Sequence, residues 1–110
     1  MQSVIHIVST DESEHGTALA IAENLQESVE IDDVAVVARA KGIEAVATDG
    51  EHADRIRSLL EDGVAFSGCA NTLDAMDMAE SDLLDGVEVV PEGAVEVTRL
   101  QNEGYAYLRP

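Results

Sequence analysis

The sequence predicts an α/β fold, three-layer α/β/α around a mainly parallel sheet of about five strands. Short apolar runs rich in Val and Ile recur along the chain, at Ser3–Val8, Val34–Ala38, Val64–Ser67 and Val87–Val90. They are close to continuous rather than alternating, as strands covered on both faces tend to be. Between them lie stretches whose apolar residues recur at helical spacing. Strands alternating with helices over the whole length give the three layers. A chain of 110 residues supports one core and not two, so residues 1–110 form a single domain.

The first run, Ser3-Val4-Ile5-His6-Ile7-Val8, is a buried strand with one histidine. A polar loop follows from Ser9 to Gly16, and Thr17 caps a helix with Ala18, Ile21, Ala22 and Leu25 on one face. After the turn at Asp32-Asp33, Val34–Ala38 is the second strand. Arg39-Ala40-Lys41-Gly42 then forms the one tight positive cluster, and Ile43–Thr48 reads as loop plus a helical turn. Asp49-Gly50 introduces a helix with Ala53, Ile56, Leu59 and Leu60 aligned, stopped by Gly63. Val64–Ser67 is the third strand, Leu73–Met78 a short helix, and Ser81–Leu84 a turn ending at Gly86. Val87–Val90 is the fourth strand, closed by Pro91. Ala94–Glu103 is a helix burying Val97 and Leu100, and after Gly104 the alternation Tyr105-Ala106-Tyr107-Leu108 makes a last strand.

Charge dominates the composition. Twenty-three acids stand against six bases, a net −17, which repels nucleic acid and anionic membrane, so neither is expected as a partner. The acids are dispersed over helices and loops with no long block, which marks a solvated surface rather than an interaction tail. Dispersed acids, a single lysine and many small residues suit a protein from a salt-loving, haloarchaeal-type source, where salt screens the self-repulsion. One cysteine admits no internal disulfide and fits a reducing compartment, so a cytoplasmic location is expected. The N-terminus carries neither a basic segment nor a long apolar run, and no signal peptide or membrane span is read there.

Most chemical motifs are missing. No G-x-G-x-x-G or G-x-x-x-x-G-K-[ST] cradle occurs, nor G-x-S-x-G. His6, His15 and His52 have no metal-ligand spacing among themselves or with the cysteine. No cofactor or metal is therefore expected. What remains is Gly63-Val64-Ala65-Phe66-Ser67-Gly68-Cys69-Ala70-Asn71-Thr72, where a buried strand runs out and turns into a helix. Cys69 is expected in that turn, where a helix N-terminus and unpaired N–H groups favour thiolate. In open α/β sheets the carboxyl ends of the strands are also where ligands bind. The bland alternative is a cysteine packed as a small hydrophobe. His6, on the first strand, is a candidate to stabilise the thiolate or carry its proton, against a core histidine satisfied by backbone. Asn71 is a candidate site neighbour, against a plain helix cap.

Together with Asp82-Leu83-Leu84-Asp85-Gly86-Val87-Glu88-Val89-Val90-Pro91-Glu92-Gly93 and the tail Arg99-Leu100-Gln101-Asn102-Glu103-Gly104-Tyr105-Ala106-Tyr107-Leu108-Arg109-Pro110, this stretch resembles the DsrE/DsrF-like family, in its small single-domain branch. The resemblance takes in His6 and Gly42-Ile43 as well, and is more specific in the second half of the chain than in the first. It implies a largely parallel three-layer sheet, assembly as a trimer or a pair of trimers, and sulfur carried as a persulfide between donor and acceptor proteins. Carried onto this chain, it makes Cys69 the acceptor thiol with His6 and Asn71 as neighbours. The leading expectation is a sulfur carrier or thiol-handling protein. The alternative is a non-catalytic small-ligand or protein-binding module with Cys69 structural, and a third is a metal protein using Cys69 and His6.

Overall fold

A computed structural model describes residues 1–110. Five strands, β1 (Gln2–Ile7), β2 (Asp33–Ala38), β3 (Ala65–Cys69), β4 (Glu88–Val90) and β5 (Tyr105–Leu108), form one sheet in the order β4-β3-β2-β1-β5. Every pairing is parallel. The helices are α1 (Glu12–Glu27), α2 (Ala53–Glu61), α3 (Ala70–Ala75) and α4 (Gly93–Asn102), with 3₁₀ segments at Ala40–Val46 and Glu80–Asp82.

Strand order determines which face each helix covers. From β1 through β4 the chain steps one way across the sheet, so right-handed crossovers put the intervening helices on one face. The step from β4 back to β5 runs the other way and sends α4 to the opposite face. The packing divides accordingly. Ile5, Ile7, Val34, Val36 and Phe66 pack with Ala18, Leu19, Ile56 and Leu59 in the main core, whereas Val4, Ala35 and Val37 pack with Val97 and Leu100 of α4.

The expected elements are present, with local corrections. Helix α1 begins at Glu12 rather than after Thr17, because Asp11 caps it by accepting the Ser13 N–H at 2.9 Å and His15 turns inward to be buried. Of the stretch Ile43–Thr48, read as loop plus a helical turn, Ile43–Val46 closes a 3₁₀ segment that already begins at Ala40, and Ala47 forms an isolated antiparallel bridge with Leu83. The third strand runs on to Cys69, so the cysteine ends a strand rather than occupying a turn, and α3 starts at once with Ala70.

Candidate functional site

The two faces separate at one point on the sheet's carboxyl edge. After β3 the chain enters α3, whose Leu73 joins the main core; after the neighbouring β4 it enters α4 on the other face. Adjacent strands whose continuations diverge open a crevice at their carboxyl ends, the usual ligand position in open α/β sheets. Cys69 and Glu92 stand where those two continuations diverge. A backbone bond from the Asn71 N–H to the Pro91 carbonyl, 3.2 Å, ties the two strand-to-helix junctions together.

Cys69 is 1% exposed. Its Sγ accepts the Gly93 N–H at 3.2 Å and donates toward Glu92 Oε1 at 3.6 Å. The helix N-terminus facing the sulfur is thus that of α4, not the six-residue α3 that follows Cys69 in sequence. Glu92 caps α4: Oε1 also accepts the Ala94 N–H at 3.2 Å, while Oε2 accepts Asn71 Nδ2 at 3.0 Å. The Ala94 N–H foremost, then the Asn71 amide, the Cys69 thiol and the charge of Arg39 hold the Glu92 carboxyl below the usual carboxylate range. An ionised carboxylate therefore receives the thiol hydrogen and lies beside the sulfur.

Register places the remaining groups. His6 pairs with Val37 and Val37 with Ser67, so alternation puts His6, Arg39 and Cys69 on the same face of successive strands. Arg39 lies between the other two. Its backbone is extended, and Ala40 then turns sharply at φ 51° with its N–H held by Thr72 Oγ1 at 2.9 Å. Arg39 makes no ion pair, and its Nε is buried without a hydrogen-bond partner.

Asn71 is therefore joined to Cys69 through Glu92, and His6 is not hydrogen-bonded to the sulfur. Two strand spacings, roughly 10 Å, separate β1 from β3. His6 Nδ1 instead shares a 2.7 Å hydrogen bond with the Tyr107 hydroxyl, the rings meeting edge to face at 5.6 Å. Its Nε2 is buried and unpartnered. Burial first, then the charges of Arg39 and Arg109, lower its pKa below 6.5. A histidine so lowered stays neutral while the unfolded chain takes up a proton. Stability is therefore lost as pH falls from 6.5 toward the folded value. We expect a lower Tm at about pH 5.5 than at about pH 7.5, with His6→Gln narrowing the gap. An unchanged gap in the variant would remove His6 as the cause, and the comparison isolates it from carboxylates titrating lower.

Sequence reasoning missed Glu92, Gly93 and Tyr107 and gave Arg39 no role. One signal was available: Glu92 occupies a helix cap, where Ser, Thr, Asp or Asn is usual. No group of three or more His, Cys, Asp or Glu side chains is placed to hold a metal ion. A separate cleft of about 340 Å³, lined by Glu12, His15, Glu51 and His52 among others, excludes every residue around Cys69.

The DsrE/DsrF-like family model matches residues 2–110. A solved structure of a protein of unknown function from Methanobacterium thermoautotrophicum is similar at 36% identity and TM-score 0.93, covering 99% of this chain and 98% of that one. A second, a conserved protein of unknown function from Bacteroides thetaiotaomicron, shares the fold at 14% identity and TM-score 0.82, covering 99% and 94%. No curated protein matches the chain in sequence.

Proposed function

This chain belongs to the DsrE/DsrF-like family, and from that premise we propose that it is a sulfur carrier in which Cys69 accepts a sulfur atom as a persulfide. The observation that carries the reading is the setting of the sulfur at the carboxyl end of β3, between the Gly93 N–H and the Glu92 carboxylate. In the loading step the Sγ, as thiolate, attacks the outer, sulfane sulfur of a donor persulfide or polysulfide. A new S–S bond forms, and the donor's own bond to that sulfur breaks, with the electron pair leaving on the donor. The thiol proton passes to solvent by way of Glu92, which already accepts its hydrogen bond. The Gly93 N–H and the positive end of α4 favour the anionic sulfur during this step. Asn71 positions Glu92. Sulfur donor and acceptor proteins, and assembly as a homotrimer or a pair of trimers, belong to the same proposal.

Incubation with polysulfide is expected to add one sulfur atom to the wild-type protein, seen by intact mass and removed by a thiol reductant. Cys69→Ala should take up none. Loading that persists in Cys69→Ala would end the carrier reading.

The near-complete burial of Cys69 favours a second reading, a small-ligand or protein-binding module in which the thiol is structural. A wild-type thiol inert both to polysulfide and to small alkylating reagents would favour it.

A further inference from the structure

Six bases serve this chain against twenty-three acids, so an unpaired arginine is unexpected. Arg55 is paired to Glu23 at 2.6 Å, Arg57 to Asp54 at 2.9 Å, and Arg99 to Glu96 at 2.6 Å and to Glu103. Arg39 has no such partner, and neither do Lys41 and Arg109, but Arg39 alone of the bases carries a buried, unpartnered nitrogen, and it stands beside Cys69 and Gly93. Its stem is held against the site: a Cβ added at Gly93 would lie 3.0 Å from Arg39 Cβ, 3.1 Å from its Cδ and 3.2 Å from Cys69 Cβ. Gly93 is thus the point where the arginine stem, the cysteine and the start of α4 meet.

Two buried nitrogens on the same face of the sheet as Cys69 go unused. Arg39 Nε is buried without an acceptor. His6 Nε2 is likewise buried and unpartnered; when the Tyr107 hydroxyl donates to Nδ1, the neutral ring carries its hydrogen at Nε2. A buried N–H left without a partner is costly, and groups of this kind ask for an explanation at a functional site. Arg39 as a whole is half-buried, so part of the side chain meets solvent. Glu92 feels the Arg39 charge but forms no ion pair with it, leaving the guanidinium free for another anion.

We infer that Arg39, backed by His6, recognises a small oxyanion, so that the sulfur compound meeting Cys69 carries a negatively charged oxygen group which Arg39 holds. The guanidinium fork suits such a group in a charge-assisted, two-pronged contact. In a molecule of net −17 an anion is repelled at long range, and a local cation is what admits it. The inference rests on Cys69 being the reacting sulfur.

The test compares two alkylating reagents of similar size, anionic iodoacetate and neutral iodoacetamide, at reagent concentrations where rate is proportional to reagent. Any opening needed to reach the buried thiol is common to both, so the ratio of their rates on Cys69 isolates charge. Arg39→Gln is expected to lower the iodoacetate-to-iodoacetamide ratio by about tenfold or more. Arg39→Lys keeps it within about threefold, and so does Arg57→Gln, which changes net charge equally but lies on α2. Inorganic sulfate at constant ionic strength should slow iodoacetate on the wild type and not on Arg39→Gln. Equal changes in Arg39→Gln and Arg57→Gln, or no effect of sulfate on the wild type, overturn the inference. Reaction with a neutral organic trisulfide, which leaves part of the reagent on the thiol as a mixed disulfide or trisulfide and releases the rest as persulfide or thiolate, separates the two failures. If it needs Cys69 while the reagent ratio ignores Arg39, only the oxyanion site falls; if it proceeds in Cys69→Ala, the carrier reading falls.

Discussion

Gly42→Ala is expected to destabilise the fold by about 3 kcal/mol or more and to lower Tm by about 12 °C or more. The cause is space and not conformational freedom. A Cβ at position 42 would stand 2.2 Å from the Ile7 carbonyl oxygen, 2.5 Å from the Ile7 carbonyl carbon and 2.7 Å from the Val8 nitrogen. All three are backbone atoms, so no rotamer change relieves the overlap, and the 3₁₀ segment must separate from the end of β1. The Gly42 N–H also closes the turn after Arg39, bonding to the Arg39 carbonyl at 3.0 Å. Its displacement therefore reaches the site as well as the core. Against a total stability of about 5–15 kcal/mol, such a loss leaves a marginal protein. Gly16→Ala is the control, since its Cβ would meet only side-chain atoms at 3.6 Å and beyond within α1. A helix-interior alanine there should raise stability by about 0.5–1 kcal/mol. Urea melts of the two variants test the contrast. A Gly42→Ala protein as stable as the wild type would mean that the 3₁₀ segment does not pack on β1 as described.

The strands were legible because burial on both faces writes itself as continuous apolar sequence. Val34–Ala38 falls where that pattern places it, within a residue, and the half-exposed edge strand Tyr105–Leu108 was legible from alternation instead. The start of α1 was not legible, because Asp11 and Thr17 are both good caps and the five residues after Asp11 are mostly polar. Only the tertiary burial of His15 decides between them. The site shows the same division. Cys69 stands out in sequence as the sole thiol at the end of an apolar run, and the carboxyl edge is where chemistry is expected. Its actual partners lie on elements distant in sequence. Gly93 and Glu92 reach it only because β4 pairs beside β3 while α4 leaves for the opposite face, and no local pattern records that. His6 was correctly placed on the first strand, but the hydroxyl that engages it comes from Tyr107, 101 residues away.

Glu92→Gln is expected to speed alkylation of Cys69 by neutral iodoacetamide at about pH 7, by roughly tenfold. Glu92 has two effects on the sulfur, and they oppose each other. As a hydrogen-bond acceptor 3.6 Å away it is placed to take the thiol proton; as an ionised carboxylate it repels the thiolate that results. Solvent also removes protons from thiols, so the acceptor role is replaceable, whereas the charge acts on every thiolate formed. The charge should therefore decide the equilibrium. Glutamine keeps an oxygen for the Ala94 N–H and the thiol while removing the charge, and its amide nitrogen finds an acceptor once the Asn71 amide turns its oxygen toward it. Glu92→Ala removes the charge, the α4 cap and the side chain lying beside the sulfur. It should react faster still and melt at lower temperature than Glu92→Gln. Intact-mass kinetics with thermal melts on both variants give the two comparisons. A glutamine variant slower than the wild type would reverse the assignment and make Glu92 the group that activates the thiol. A faster one makes the Glu92 charge a restraint on thiolate formation, while the same carboxylate gives the proton its way to solvent. In a carrier, that restraint limits stray reaction of the sulfur between transfers.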